Sequence, residues 1–292
     1  MRRDFSVREA KPSDKEIVLK FCEHTFEWGD YIPDVWDRWL TESNGKLFVA
    51  TFKDLPVGIS YVAILKKGEA WLQGARTAAE FRRKGVASLL NRACLEFAIK
   101  RGAKVARLIT ESNNFATQAA MAKLGFKRIA DWVFMEFDGC ELETCSGVRW
   151  AEKADVEEIW KFLASSECYV KSAGLYSVVF SWISFGRADL KKFVERRMTL
   201  VYERNKEIRG LVLVDDTIRL AWQENSVQTC YVDGDFSAAL EMGRFLKTHC
   251  YNEGIAKIYG VMANYVPLIL AFSELGFRKG GNTELVYEKR LF

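Results

Sequence analysis

The sequence predicts a mixed α/β fold, a central sheet flanked by helices, built twice in one chain. Three observations predict it. First, the chain has 292 residues and 49% apolar content, with nine Trp and twenty Phe, which is enough for two cores and too much for a disordered chain. Second, runs with strand-like alternation and runs with helical spacing follow one another without segregating. Third, the second half echoes the first in three places, in the same order.

The echoes are specific. "VREAKPSDKEIVLKF" (7–21) resembles "VRWAEKADVEEIWKF" (148–162). "LFVATFKDLPVGISYVAI" (47–64) resembles "TLVYERNKEIRGLVLV" (199–214), each an apolar strand, a polar turn and a second apolar strand. "NNFATQAAMAKLGFKR" (113–128) resembles "NYVPLILAFSELGFRK" (264–279), with Leu-Gly-Phe and a following cation in register. The copies are expected at 1–140 and 146–292, joined near "DGCELETCSG", where turn formers and acids interrupt the pattern.

Within the first copy, residues 14–27 and 33–42 read as helices, 47–52 and 57–65 as a hairpin, and 69–77 as a further strand. From Val86, apolar positions 86, 89, 90, 93, 94 and 97 keep helical spacing; Lys100 and Arg101 suit the negative end of that helix, and Gly102 is placed to end it. "VARLIT" is the next strand, "FATQAAMAKL" the next helix and "WVFMEF" a last strand.

Composition excludes several functions. A net charge of +4 argues against a nucleic-acid binder, which concentrates Lys and Arg on one face. No apolar run reaches the ~18 residues of a membrane span, and the opening "MRRDFSVREAKPSD" lacks the apolar core of a signal peptide, so a cytoplasmic protein is expected. Seven scattered Cys without a CxxC pair, and only His24 and His249, give no zinc site or disulfide framework and weaken any histidine-based hydrolase. No metal is expected.

The stretch that calls for a function is "EFRRKGVASLL" (80–90). Arg82, Arg83 and Lys84 run into Gly85 at a helix start, and Gly85 with the small Ala87 allows a ligand close to the backbone. Unpaired N–H groups, the helix dipole and three cations together favour a pyrophosphate. A solvated basic loop is the competing reading. The chain has neither GxxxxGK[ST] nor GxGxxG.

Here the sequence resembles the GNAT superfamily of acyl-CoA N-acyltransferases. Arg82-Arg83-Lys84-Gly85-Val86-Ala87 fits that family's R/Q-x-x-G-x-G/A pyrophosphate loop. "ARTAAEF" resembles the strand whose backbone binds pantetheine and the acyl carbonyl, ending in Thr77, and "SNNFATQAAMAKLGF" the second cofactor motif, closed by Leu124-Gly125-Phe126. The resemblance covers roughly residues 5–138 and implies two GNAT-like domains in tandem. It also implies acetyl-CoA as cofactor, with contacts from Ala75, Arg76, Thr77, Arg82, Arg83, Lys84, Gly85, Val86, Ala87, Asn114, Ala116, Thr117 and Met121. In the second copy "CYVDGDFSAAL" places Asp233 and Asp235 where the first has cations; acids there repel a pyrophosphate, so that copy is expected to be degenerate.

Transfer to an amine needs a proton acceptor and a donor for the carbonyl oxygen, the latter met by a backbone N–H near Thr77. The inward positions of the family's glutamate strand carry Trp71 and Gln73, neither a base. Glu111 is the nearest carboxylate; a solvated strand-end glutamate is the other reading. The family's tyrosine acid falls on Met121, and on Phe272 in the second copy. Cys94 reads as core. "TFEWGDYIPDVWDRWL" (25–40) crowds Trp28, Tyr31, Trp36 and Trp39 among Glu27, Asp30, Asp34 and Asp37. Trp36 and Trp39 read as a buried helix face; Asp30, Tyr31 and Gln73 are the acceptor candidates.

The reading is an N-acetyltransferase acting by direct attack in the N-terminal copy. Its partner is a small-molecule or peptide amine, with no nucleic acid or membrane, in a monomer of pseudo-dimeric halves or a homodimer. A non-catalytic acyl-CoA-binding scaffold and a transferase for longer acyl chains are its rivals.

Overall fold

The computed structural model describes residues 4–25, 29–215 and 224–291. The Glu27 and Trp28 of the acidic, aromatic stretch lie outside the described residues. Contacts divide the chain into two compact units: Met1–Leu108 with Ala116–Lys127 and Tyr287–Phe292, and Ile109–Phe115 with Arg128–Val286. This division follows spatial contact, whereas the boundary at 140–146 follows sequence likeness.

The first unit is built from β1 (Phe5–Glu9), α1 (Lys15–Cys22), α2 (Ile32–Thr41), β2 (Gly45–Phe52), β3 (Leu55–Lys66), β4 (Glu69–Thr77), α3 (Val86–Lys100), most of β5 (Val105–Glu111) and most of α4 (Phe115–Lys123). Strands follow in the order β1-β2-β3-β4-β5. The first four are antiparallel neighbours, and β4 and β5 run parallel over Glu69–Trp71 and Val105–Arg107. The core forms because α3 lays Val86, Leu90, Cys94 and Ala98 on the sheet, as its spacing predicts. Gly58 on β3 permits this approach: a Cβ there would stand 2.8 Å from Val86.

Helix α1 is shorter than the expected 14–27. It stops at Cys22, whose carbonyl accepts both the Thr25 amide and the Thr25 hydroxyl, a local turn that competes with helix continuation. Helix α2 buries Ile32, Val35, Trp36 and Trp39 on one face, as expected of Trp36 and Trp39.

The second unit holds β6 (Lys127–Asp138), β7 (Val148–Trp150), α5 (Val156–Ala164), α6 (Glu167–Lys171), β8 (Leu175–Val178), β9 (Ser181–Ser184) and α7 (Arg187–Glu195). It continues with β10 (Thr199–Arg204), β11 (Glu207–Asp215), β12 (Ser226–Gly234), α8 (Phe236–Asn252), β13 (Lys257–Ala263), α9 (Val266–Glu274) and most of β14 (Arg278–Arg290). Its strand order is β14-β6-β13-β12-β11-β10-β7, with β8 and β9 a separate hairpin.

That order contains an exchange the sequence did not announce. Strand β6, last of the first copy, pairs antiparallel with β13 of the second, from Lys257↔Asp138 to Ala263↔Trp132. The Lys257–Glu136 ion pair helps hold that register. Strand β14, last of the second copy, follows β6, and its final residues return to the first unit, where Glu288 meets Arg107. Among the described residues no helix is long and apolar enough to cross a membrane, and no group of three or more His, Cys, Asp or Glu is placed to hold a metal.

Candidate active site

In the first unit the candidate site starts from an irregularity in β4. Tyr61 stands opposite Gln73 and Ile59 opposite Arg76, so Gly74 and Ala75 together face the single Ser60. Such a bulge bends the strand and takes a residue out of the ladder. Gly74 adopts φ +67°, and a Cβ there would lie 2.6 Å from the Trp39 ring, so conformation and space both require glycine.

The neighbours of the bulge come from the α1–α2 segment. Arg76 grips Asp30 with two bonds, Nε to Oδ2 at 2.6 Å and Nη2 to Oδ1 at 3.0 Å; the two side chains are only 13% and 2% exposed. The Arg76 guanidinium lies 5.3 Å from the Tyr31 ring centroid. Burial pushes the Tyr31 phenol pKa up, against the pull of the neighbouring Arg76 charge. Tyr31 then meets Trp39 edge-on, and Trp39 stacks on Tyr61, whose hydroxyl donates to Glu42. Thus Asp30, Tyr31 and Arg76, expected on the acceptor and cofactor sides, meet at the bulge. Gln73 accepts from the buried Trp71 indole at 3.3 Å.

Beyond Thr77 the chain makes one 3₁₀ turn, Ala79–Phe81, and enters the basic loop. Arg82 donates to the Thr77 carbonyl at 3.4 Å, and Lys84 sits 5.0 Å from the Phe81 ring centroid. Gly85 is the N-cap of α3 with φ +88°, no side chain caps the helix, and nothing lies within 4 Å of where a Cβ would be. Arg82, Arg83, Lys84, Gly85 and Ala87 are exposed, while Val86 turns into the core. An uncapped helix start with open space beside three cations is what a pyrophosphate requires, so these residues fit the donor the sequence implied.

Of the second motif, Ala116 is exposed, Thr117 half-buried and Met121 buried in the first unit, where the Met121 carbonyl accepts the Phe126 amide. Cys94 is fully buried, and burial pushes its thiol up to about 12, which suits a core residue and not a nucleophile.

Glu111 and Asn114 belong to the second unit, where the Asn114 amide donates to the Glu111 carbonyl at 3.0 Å. The Ser112 amide donates to the Thr283 carbonyl at 2.8 Å, which sets Glu111 directly across from Glu284. Asn282 donates to the Glu111 carboxylate at 3.1 Å. Two carboxylates opposite one another repel. Burial, and then the Glu111 charge, raise the Glu284 pKa to about 7. Sequence reasoning missed Glu284 because it lies on the last strand of the other copy; its alternation with Val286 and Glu288 showed a face, but no signal named the neighbouring strand.

The counterpart of the basic loop, at the start of α8, is closed. Asp235 is the N-cap, and its carboxylate accepts the Ala238 amide at 2.8 Å. Asp233, 2% exposed, accepts from Ser166 at 2.7 Å and from Tyr231 at 2.5 Å; burial lifts its pKa to about 6 against those bonds.

Residues 16–126 match the acetyltransferase (GNAT) family. A histidine N-acetyltransferase of Scomber australasicus is 30% identical over 88 residues, which is 30% of this chain; the chain spans only about a quarter, 26%, of that relative. Two solved structures share the fold over nearly the whole chain. A GCN5-related N-acetyltransferase from Sphaerobacter thermophilus has a TM-score of 0.66 at 12% identity, covering 99% of this chain and 96% of its own. A tandem GNAT protein from the clavulanic acid biosynthesis pathway has a TM-score of 0.54 at 12% identity, covering 98% of each. Residues 16–126 thus match the GNAT family, and the chain shares its fold over nearly its whole length with these two solved structures.

Proposed function

We propose that the protein is an N-acetyltransferase that uses acetyl-CoA to acetylate the α-amine of an amino acid or peptide. The observation that carries this is the uncapped start of α3, with Gly85 open to solvent beside Arg82, Arg83 and Lys84. Those residues with Val86 and Ala87 would hold the pyrophosphate, the backbone of Ala75, Arg76 and Thr77 the pantetheine arm, and Asn114, Ala116, Thr117 and Met121 the second cofactor motif. The donor supplies a thioester acetyl whose thiol leaves without strong acid help, since its pKa lies near 8.5. That suits a chain with a buried Met121 where the family has a tyrosine.

The protein's own task is then to remove a proton from the amine. Glu111 is the carboxylate proposed for it. A free α-amine, with a pKa near 8, loses its proton about two units more easily than a lysine side chain, so the α-amine is the easier substrate. The stretch shared with histidine N-acetyltransferases supports the same class.

Turnover of acetyl-CoA by the purified protein tests this, read as thiol release with a panel of free amino acids, histidine included, short peptides and polyamines. Release that depends on an α-amine is the expected result. Acetyl-CoA binding without amine-dependent release from any member leaves the scaffold reading in place of the enzyme.

A further inference from the structure

We propose that Asp30, Tyr31 and Arg76 are positioning residues that lock the β4 bulge in the shape that offers its backbone to the acyl carbonyl. The inference rests on the proposed use of acetyl-CoA and adds a means by which the strand is held.

A bulge is the soft point of a strand, because a residue outside the ladder lacks the bonds that fix its neighbours. Here a one-residue slip would return Gly74 and Ala75 to ordinary pairing and turn every later side chain of β4 to the other face. Three contacts oppose that slip. The Tyr31 ring is wedged between the Arg76 guanidinium, 5.3 Å from its centroid, and the edge of Trp39, 6.1 Å away, which ties the residue after the bulge to the ring that fills the space at Gly74. The Trp39 ring fills the space where a side chain at 74 would stand. Asp30 holds Arg76 bidentately, one residue past the bulge and one before Thr77.

The energetics point the same way. A buried ion pair adds little net stability, because desolvation offsets most of the attraction; what it supplies is a unique arrangement. The Asp30 and Arg76 side chains are largely withdrawn from solvent and satisfy each other. An apolar pair would pack this position equally well but would leave the strand free to shift. A carbonyl oxygen that gains charge needs a donor already aimed at it, since reorientation during reaction loses most of the benefit.

The test needs no acceptor. Acetyl-CoA carrying ¹³C at the thioester carbonyl is bound to the protein, and the carbonyl stretch is followed by isotope-edited infrared spectroscopy. In the wild type the band is expected at lower wavenumber than in solution. Tyr31→Leu, which removes the ring, and Asp30→Asn should move it back toward the free position, with coenzyme A affinity, measured by calorimetry, kept within about twofold. Variants whose band stays at the wild-type position overturn the positioning role and leave the enzyme reading intact. Joint loss of the shift and of coenzyme A affinity in both variants assigns the residues to general stability and also overturns it. A wild-type protein that binds no acetyl-CoA removes the functional reading on which this rests.

Discussion

The two helix starts that follow equivalent strands, α3 after β4 and α8 after β12, solve the same electrostatic problem in opposite ways. Each begins with N–H groups that no helical carbonyl can satisfy. At α8 the chain answers for itself: Asp235 caps the helix, and Gly234 is packed with a Cβ position 3.0 Å from Ala238. At α3 the cap is Gly85, which contributes no side chain, and the space beside it is open. A carboxylate cap is worth about 1 kcal/mol to a helix. The second copy therefore keeps that stability, while the first forgoes it and leaves its first-turn amides uncapped beside open space. The second copy thus differs from the first by a gain of internal hydrogen bonding as well as by a loss of cations.

If that contrast is right, moving the carboxylate should move the property. Gly85→Asp places an acid at the α3 cap, where it can take the first-turn amides and repel a pyrophosphate. Acetyl-CoA affinity should fall by on the order of 100-fold or more by calorimetry, a loss of roughly 3 kcal/mol. Asp enters the left-handed region at a cost of about 1 kcal/mol, which the new cap offsets in part, so the melting temperature should move little. Retained affinity would break the comparison.

Much of this was legible in the sequence, and the reason is local. Gly85, its cations and the periodicity from Val86 to Phe97 lie within one short stretch, so the open helix start could be read directly. Asp233 and Asp235 stood where cations were expected and announced the closed copy. What could not be read depends on neighbours distant in sequence. The exchange of β6 and β14 is a choice of partner between two strands of similar character, and pairing leaves no mark on either alone. Glu284 was hidden for that reason. Asp30 and Tyr31 were picked out as polar groups facing an acceptor, but the strand they meet was set by the Gly74 bulge, and one glycine in a strand does not say which side chains will gather on it.

The second copy's buried carboxylate gives a further way to sharpen the contrast. Asp233 has a folded pKa of about 6, above its ordinary value, so the native state holds its proton more tightly than the unfolded chain does. Between about pH 4 and pH 6 the folded form binds more protons, and stability from this group falls as pH rises through that window. The full cost above it is on the order of 3 kcal/mol. Glu284, with a pKa of about 7, acts in the same direction over a window that extends higher. Asp233→Asn should flatten the change in urea midpoint between pH 4 and pH 6.5 and leave the Glu284 part. Acetyl-CoA affinity should be unaffected, because the closed copy holds no donor. An unchanged pH slope would show that Asp233 is not the group that makes the second copy's polar core sensitive.

The smallest effect is expected where the contrast is most literal. Asp235→Ala removes the α8 cap and strands the Ala238 amide, which should lower stability by about 1 kcal/mol. It does not reopen an anion site. Asp233 remains behind the helix start, Gly234 stays packed against Ala238, and no Arg or Lys stands in the place of Arg82, Arg83 and Lys84. A titration with acetyl-CoA should therefore still give one site per chain. A second site in this variant would mean that the cap alone closes the copy; a single site would mean that an anion hole needs its cations and its open space together.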